Sequence, residues 1–304
     1  MAEGAAPPAG TPERIPCILN IAAGTAAAVL DAVERDPRFA LRLSEPERIQ
    51  AALVAAMETR PARIAVAGGD GTVATAAGAL ASSGVELAVI PAGTLNHFAR
   101  SLEIPTVVAD ALDQAVVAGS RLVDVGYAND RLFLNTGSVG AYVDFVQERE
   151  RLRGRWGYHL ASLTAAARIL GQLPAQTVAV TSGGEHRRYS TPLVFVQVRE
   201  REGVGDPPDD EVAGGLRLVV VLDRRRRRLT QLALIAAIRG LDAASRTPVM
   251  ESLFVDGCTI EMPVPGTLVA LDGETVRMST PIRFRVEPQA LQVVAARPGN
   301  VPGS

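Results

Sequence analysis

The sequence predicts a two-domain protein, an N-terminal α/β domain on a parallel sheet followed by an antiparallel, β-sandwich-like domain that carries helices. Three observations predict it. The 304 residues suffice for about two domains at roughly 150 residues each. Up to about residue 126, short apolar runs alternate with glycine turns and helical stretches, as in a parallel sheet with crossover helices. From about Arg131 onward, short alternating or β-branched runs dominate, as in an antiparallel sandwich.

Residues 1–13 are rich in Ala, Pro and Gly and read as a flexible tail. A first strand spans Ile15–Asn20, and a helix follows a Gly-containing turn and runs to about Arg35. After Pro46 a helix over Glu47–Thr59 leads into the apolar strand Arg63–Ala67, which stops at Gly68-Gly69-Asp70-Gly71-Thr72. Helix resumes over Val73–Ala81, and a strand over Glu86–Ile90 ends at Pro91-Ala92-Gly93-Thr94. The first domain is drawn as residues 14–128 and the second as 129–296, with the last strand free to return to the first and a tail over 297–304. Strands of the second domain are expected at Val178–Val180, Leu193–Val198, Leu216–Leu222, Leu253–Glu261, Thr267–Leu271, Ile282–Val286 and Leu291–Ala295, with helices at Tyr158–Leu170 and Thr230–Arg239.

Apolar residues make up 47% and charged residues 21%, a globular composition. The formal charge of −2 gives no overall attraction to nucleic acid. The chain contains no lysine, so all 31 basic residues are arginine. That excludes a Walker-type phosphate-gripping Lys, Schiff-base aldolases and pyridoxal-phosphate enzymes. Phosphate, if handled, is handled by backbone N–H groups, Arg and metal. Codon bias in a GC-rich genome is the plain reading of the all-Arg composition. Cys17 and Cys258 are far apart and fit no metal or redox spacing, as expected of buried thiols in a reducing compartment. The N-terminus lacks the basic-then-apolar order of a signal peptide, and no apolar run approaches the ~20 residues that span a bilayer. A cytoplasmic protein is expected.

Both glycine turns fall at strand carboxyl ends, where parallel sheets bind ligands. In the first, glycines would let the chain turn sharply and let a polyphosphate approach the backbone, and Asp70 would hold Mg²⁺ or orient a hydroxyl. The plain alternative is an ordinary strand-to-helix turn with Asp as a cap. The second, Pro91-Ala-Gly-Thr-Leu-Asn-His-Phe-Ala-Arg100, adds a hydroxyl, an amide and a guanidinium. Two such turns on neighbouring strands are hard to explain as packing.

Gly68-Gly-Asp-Gly-Thr72 with Pro91-x-Gly-Thr-x-Asn-x-x-Ala-Arg100 resembles the diacylglycerol kinase catalytic-domain family, which includes bacterial lipid kinases and sphingosine kinases. Asn20 with Gly24 resembles the family's opening Asn-Pro-x-x-Gly element, with Ile21 in place of proline. Asp124-Val-Gly126, Phe133-Leu-Asn-Thr-Gly-Ser-Val-Gly140, Leu271-Asp-Gly-Glu274 and Val286-Glu-Pro-Gln-Ala290 follow in family order. The resemblance implies a Rossmann-like nucleotide-binding domain, a β-rich lipid-substrate domain and a cleft where ATP, with Mg²⁺, phosphorylates a lipid hydroxyl such as that of diacylglycerol. It implies that Gly68, Gly69, Gly71 and Thr72 cradle the ATP phosphates and that Thr94, Asn96 and Asn20 line the nucleotide site. Asp272 resembles the catalytic base, Glu274 a metal or nucleotide neighbour, and Asp70 rivals both as base or metal ligand. Arg100 could neutralise transition-state charge or form a surface ion pair, and His97 reads as a capping or packing residue. NAD kinases share the first turn but lack the Pro-x-Gly-Thr-x-Asn pattern, and a catalytically weak nucleotide- or lipid-binding regulator is the other alternative.

A lipid kinase meets its substrate at a bilayer. Arg149, Arg151, Arg153 and Arg155 precede Trp156, Tyr158 and the helical apolar face Leu160, Leu163, Ala167, Leu170, which suits peripheral docking on anionic lipid at the inner membrane face or an ordinary core-packed helix. Arg224–Arg228 forms a second basic patch. The oligomeric state stays open, a homodimer included. The chain departs from the family pattern between Gln197 and Gly215: Asp209 and Asp210 lie too early and Ala213-Gly214 stand at expected acidic positions, which leaves open whether the loop holds the structural metal and recognises lipid as the resemblance implies.

Overall fold

A computed structural model of the chain describes residues 14–140, 143, 147–148, 151, 175–199, 215–222 and 250–296. The chain divides into two compact units, Met1–Leu122 with Leu291–Ser304, and Val123–Ala290. The helices expected over 158–170 and 230–239, the patch 224–228 and the loop 200–214 lie outside the described residues.

In the first unit the order is β1 (Ile15–Asn20), α1 (Ala26–Glu34), β2 (Phe39–Ser44), a 3-10 turn (Pro46–Arg48), α2 (Ile49–Met57), β3 (Arg63–Gly68), α3 (Asp70–Leu80), β4 (Glu86–Pro91), α4 (His97–Ser101) and α5 (Val108–Val117). The strands pair in parallel in the order β2-β1-β3-β4. A parallel sheet covered on both faces requires uninterrupted apolar strands, and Ile64–Gly68 and Leu87–Pro91 are buried throughout. Cys17, Leu19, Ala65, Ala67, Ala88 and Ile90 pack with Val29 and Val33 of α1 and with Ala111, Leu112 and Ala115 of α5. Ile18, Ile64 and Val66, at alternate positions, are also fully buried. Each such aliphatic side chain contributes about 1.5–3 kcal/mol on burial. Arg63 ties the amino ends of the strands to a helix end: it pairs with Glu86 at 2.7 Å and donates to the carbonyls of Ala115, Val116 and Ala118.

One expectation is corrected here. The third helix starts at Asp70, not Val73, because Gly69 is extended (φ −89°, ψ −175°) and acts as its N-cap. Asp70, Gly71 and Thr72 therefore form the first helical turn, where a carboxylate suits the helix dipole.

The second unit runs from β5 (Ser120–Ala128), which begins in the first, through β6 (Arg131–Phe133), β7 (Thr136–Gly140), β8 (Gln176–Ser182), β9 (Glu185–Thr191), β10 (Leu193–Val198), β11 (Leu216–Val221), β12 (Met250–Val255), β13 (Gly257–Glu261), β14 (Thr267–Leu271) and β15 (Glu274–Met278) to β16 (Ile282–Val294). A six-stranded sheet has the order β12-β11-β10-β7-β14-β15, antiparallel throughout. A second sheet joins β16, β13, β8 and β9, with β5 on β16 and β6 on β5. Val139, Val194, Val196 and Val269 of the first sheet share one core with Phe133, Val178, Ile260 and Phe284 of the second, as in a sandwich. The Phe133 and Phe284 rings meet edge to face at 6.0 Å.

Two expected strands differ. Leu253–Glu261 is two strands, β12 and β13, broken at Asp256. Ile282–Val286 and Leu291–Ala295 are one 13-residue strand, β16. Gln289 within it has φ 51°, and its N–H donates to Asp124 Oδ1 at 2.8 Å. Beyond that point the strand belongs to the first unit, where Val293 pairs with Leu87 of β4 in parallel.

Candidate active site

The site in the first unit assembles at the carboxyl ends of β1, β3 and β4. Glycine is required at both turns by contact, not by backbone angle: none of Gly68, Gly69, Gly71 or Gly93 has a positive φ. A Cβ on Gly68 would lie 2.4 Å from Thr72 Cβ, and one on Gly93 would lie 2.5 Å from Gly69 Cα. The two turns touch backbone to backbone, and Ala92 N–H donates to the Gly68 carbonyl at 2.9 Å. The expectation of a sharp glycine turn is thus replaced by close packing of two turns.

The polar side chains of the motifs hold these turns. Asn20 Nδ2 donates to Thr72 Oγ1 at 2.8 Å, while its Oδ1 accepts the Ala22 N–H at 2.9 Å. Asn96, left-handed at φ 51°, folds its amide back on Gly93, accepting from its N–H and donating to its carbonyl, each at 2.9 Å. Asp70 Oδ1 accepts the Phe98 N–H at 3.2 Å, which fixes the start of α4 against the start of α3. The first-turn N–H groups of α3 have no acceptor within the helix, Asp70 beside them is partly buried, and the side chains of Thr94, His97 and Arg100 are exposed. Among the described residues Arg100 has no ion-pair partner. A magnesium ion bound with substrate phosphates needs only one or two protein carboxylates, so Asp70 beside the N–H groups fits that ion. The described residues contain no group of three His, Cys, Asp or Glu able to hold a metal without such a substrate.

Sequence reasoning missed one neighbouring feature. A cavity of about 430 Å³ lies at the carboxyl ends of β1 and β2, lined by Ile21, Leu43, Ser44, Glu45, Arg48, Ala51 and Ala52. Its apolar walls include half-exposed Ile21 and Leu43, and Ile21 N–H donates to the Ser44 carbonyl at 3.0 Å. The available signal was β2 itself, whose end is a strand carboxyl end beside Asn20.

In the second unit, Asp272 sits at φ 48° in the turn between β14 and β15. Its Oδ2 accepts the Leu134 N–H at 2.6 Å, and its Oδ1 accepts the N–H groups of Asn135 and Thr136 at 2.8 and 2.9 Å. Its own N–H donates to the Thr136 carbonyl at 2.8 Å. One carboxylate therefore clamps the Phe-Leu-Asn-Thr-Gly motif to the Asp-Gly-Glu turn. Glu274 is exposed at the start of β15. A larger cavity of about 510 Å³ between the β8-β9 hairpin and the β12–β13 segment holds none of the motif residues. Of the membrane-docking candidates only Arg151 is described, exposed and 3.7 Å from Glu148. No helix among the described residues is long and apolar enough to cross a membrane.

Fold and site together define an α/β domain with paired phosphate-type turns at adjacent strand ends, joined to a β-sandwich. Residues 17–128 match the diacylglycerol kinase catalytic domain. A Pseudomonas putida protein named "probable lipid kinase YegS-like" is 29% identical over 266 residues, covering 85% of this chain and 84% of its own. A diacylglycerol kinase of Staphylococcus aureus is 41% identical over 76 residues, 24% of each chain. Among solved structures, a diacylglycerol kinase from Bacillus anthracis str. Sterne shares the fold at a TM-score of 0.64 and 19% identity, over 95% of this chain and 98% of that one. A second structure from that organism reaches a TM-score of 0.71 at 22% identity, over 95% and 99%.

Proposed function

We propose that the protein is an ATP-dependent lipid kinase that transfers the γ-phosphoryl group to the hydroxyl of a lipid alcohol, diacylglycerol or a relative of it. The observation that carries this reading is the pair of touching glycine turns, with the first-turn N–H groups of α3 unpaired within the helix and Asp70 among them. The relatives named as lipid kinases support the acceptor class. In this reading the N–H groups of Asp70, Gly71 and Thr72 bind phosphate oxygens, aided by the helix dipole. Thr94 and Arg100 contact the phosphates from the second turn, the Arg in the role a Walker Lys fills elsewhere. The cavity edged by Ile21 and Leu43 takes the nucleoside end. Asp70 is the metal carboxylate, and magnesium would supply neutralisation of the phosphate charge.

The lipid hydroxyl oxygen attacks the γ-phosphorus, the bond to the bridging oxygen breaks, and ADP leaves. The hydroxyl proton passes to a carboxylate, for which Asp272 is the candidate on the acceptor side and Asp70 the rival. Glu274 is assigned to the same neighbourhood as Asp272. The enzyme acts as a peripheral protein at the cytoplasmic membrane face. Turnover with ATP, Mg²⁺ and diacylglycerol-bearing vesicles tests the reading. Wild type should form ADP and phosphorylated lipid, and Asp70→Asn should lower kcat by about 100-fold or more with the fold intact. Full activity in that variant would remove Asp70 from the mechanism.

A further inference from the structure

Ser138 lies at the centre of β7 and is 1% exposed, and among the described residues its Oγ has no hydrogen-bond partner. Buried hydroxyls are satisfied as a rule, because leaving one unpaired costs about 1–3 kcal/mol. The register shows which way it faces. Gly137 and Val139 look into the sandwich core, since a Cβ on Gly137 would meet Phe284 at 2.7 Å and Val139 belongs to the core cluster. Ser138 therefore lies on the opposite face, in a row that reads Ser252, Val219, Phe195, Ser138, Ala270, Thr275 across the sheet. The row's own residues are uncharged, with Arg217 donating to the Ser252 hydroxyl at its far end at 2.9 Å, and its two smallest members next to each other are Ser138 and Ala270, the latter also 1% exposed. Leu268 and Val143 pack beside Ala270. Around Ser138 the row is apolar, and among the described residues the Ser138 hydroxyl near its middle is unsatisfied. Two residues away, Thr136 is held by the Asp272 clamp.

We propose that Ser138 is a specificity-determining residue for the lipid acceptor: its hydroxyl makes one hydrogen bond to an oxygen of an uncharged head group, and the apolar row receives the adjoining hydrocarbon. This rests on the lipid-kinase reading. A neutral, glycerol-type alcohol suits the row, and a cationic amino alcohol finds no carboxylate in it. Entry of the acceptor displaces Val143 from Ala270.

The test is steady-state kinetics of wild type and Ser138→Ala on phosphatidylcholine vesicles carrying diacylglycerol, with ATP varied separately and thermal unfolding recorded. Losing one neutral hydrogen bond should raise the acceptor KM by about tenfold. The ATP KM should not move, and the unfolding midpoint should hold or rise, since a burden on the free fold has been removed. An unchanged acceptor KM overturns the inference and marks the hydroxyl as merely tolerated. A lowered midpoint with lost activity also overturns it, by showing a structural bond. A wild type that phosphorylates no lipid alcohol overturns the kinase reading and this inference together. Wild-type turnover thus tells the two failures apart.

Discussion

Asp272 and Asp70 differ in what they hold. Asp272 accepts three backbone N–H groups from Leu134, Asn135 and Thr136, whereas one, from Phe98, is assigned to Asp70. Asparagine at 272 would turn an NH₂ toward at least one of those donors, breaking a bond and stranding a backbone N–H. Asp272→Asn should therefore lower stability by about 1–3 kcal/mol as well as activity, read from the denaturant midpoint. Asp70→Asn should lower activity with the midpoint unchanged. A stable but inactive Asp272→Asn would favour the catalytic role over the clamp. The same pattern recurs at Asn20 and Asn96, each bonded to backbone in its own turn, and at Asp124, which holds the distant Gln289 N–H. In this chain the motif Asn and Asp residues shape the loops, which leaves backbone N–H groups as the candidate ligand contacts.

At the scale of elements, the contact between the β3–α3 and β4–α4 turns is the joint on which the site depends. Gly93→Ala places a methyl group 2.5 Å from Gly69 Cα and 2.9 Å from Asn96 Oδ1, and the Gly69 backbone on one side and an Asn96 amide bonded to Gly93 on the other leave little room to yield. The expected outcome is loss of ATP binding by calorimetry and a lower unfolding midpoint, and retention of both would show the turns to be separable. These elements were legible because parallel strands buried on both faces, such as Ile64–Gly68, read as continuous apolar runs ending in glycine. Strand β2 was not, since Phe39–Ser44 buries only Phe39 and Ser44 and lies at the sheet edge. Missing it hid the cavity beside Ile21. Strand β9 was missed for a related reason: Glu185–Arg188 are exposed, and the run inserts only Tyr189 and Thr191 into the interior. The motif order carried the site residues, but which of them face a ligand depends on hydrogen bonds between distant turns. No local pattern encodes those.

For the whole molecule, pH acts on stability from both sides. Burial pushes the thiols of Cys17 and Cys258 from 9.0 up to about 12. Between these values the unfolded chain has released protons that the folded chain keeps, so stability is full below pH 9 and falls as pH rises above it. Equilibrium unfolding at pH 8 and 10 should show the drop, and Cys17→Ala should diminish it. At the acid end, the Arg38 side chain bonded to Asp36 holds its carboxyl below the usual 3.8. That contribution is present above pH 3.8 and is lost as pH falls through the folded value. The account as a whole stands on phosphoryl transfer from ATP to a lipid hydroxyl. The direct measurement is product analysis after incubation with γ-labelled ATP, Mg²⁺ and vesicles bearing a panel of lipid alcohols, with NAD in a parallel tube. Lipid kinase activity predicts label in a lipid phosphomonoester, one ADP per label, and none on NAD. Bound nucleotide with no labelled lipid, or label on NAD alone, would contradict it.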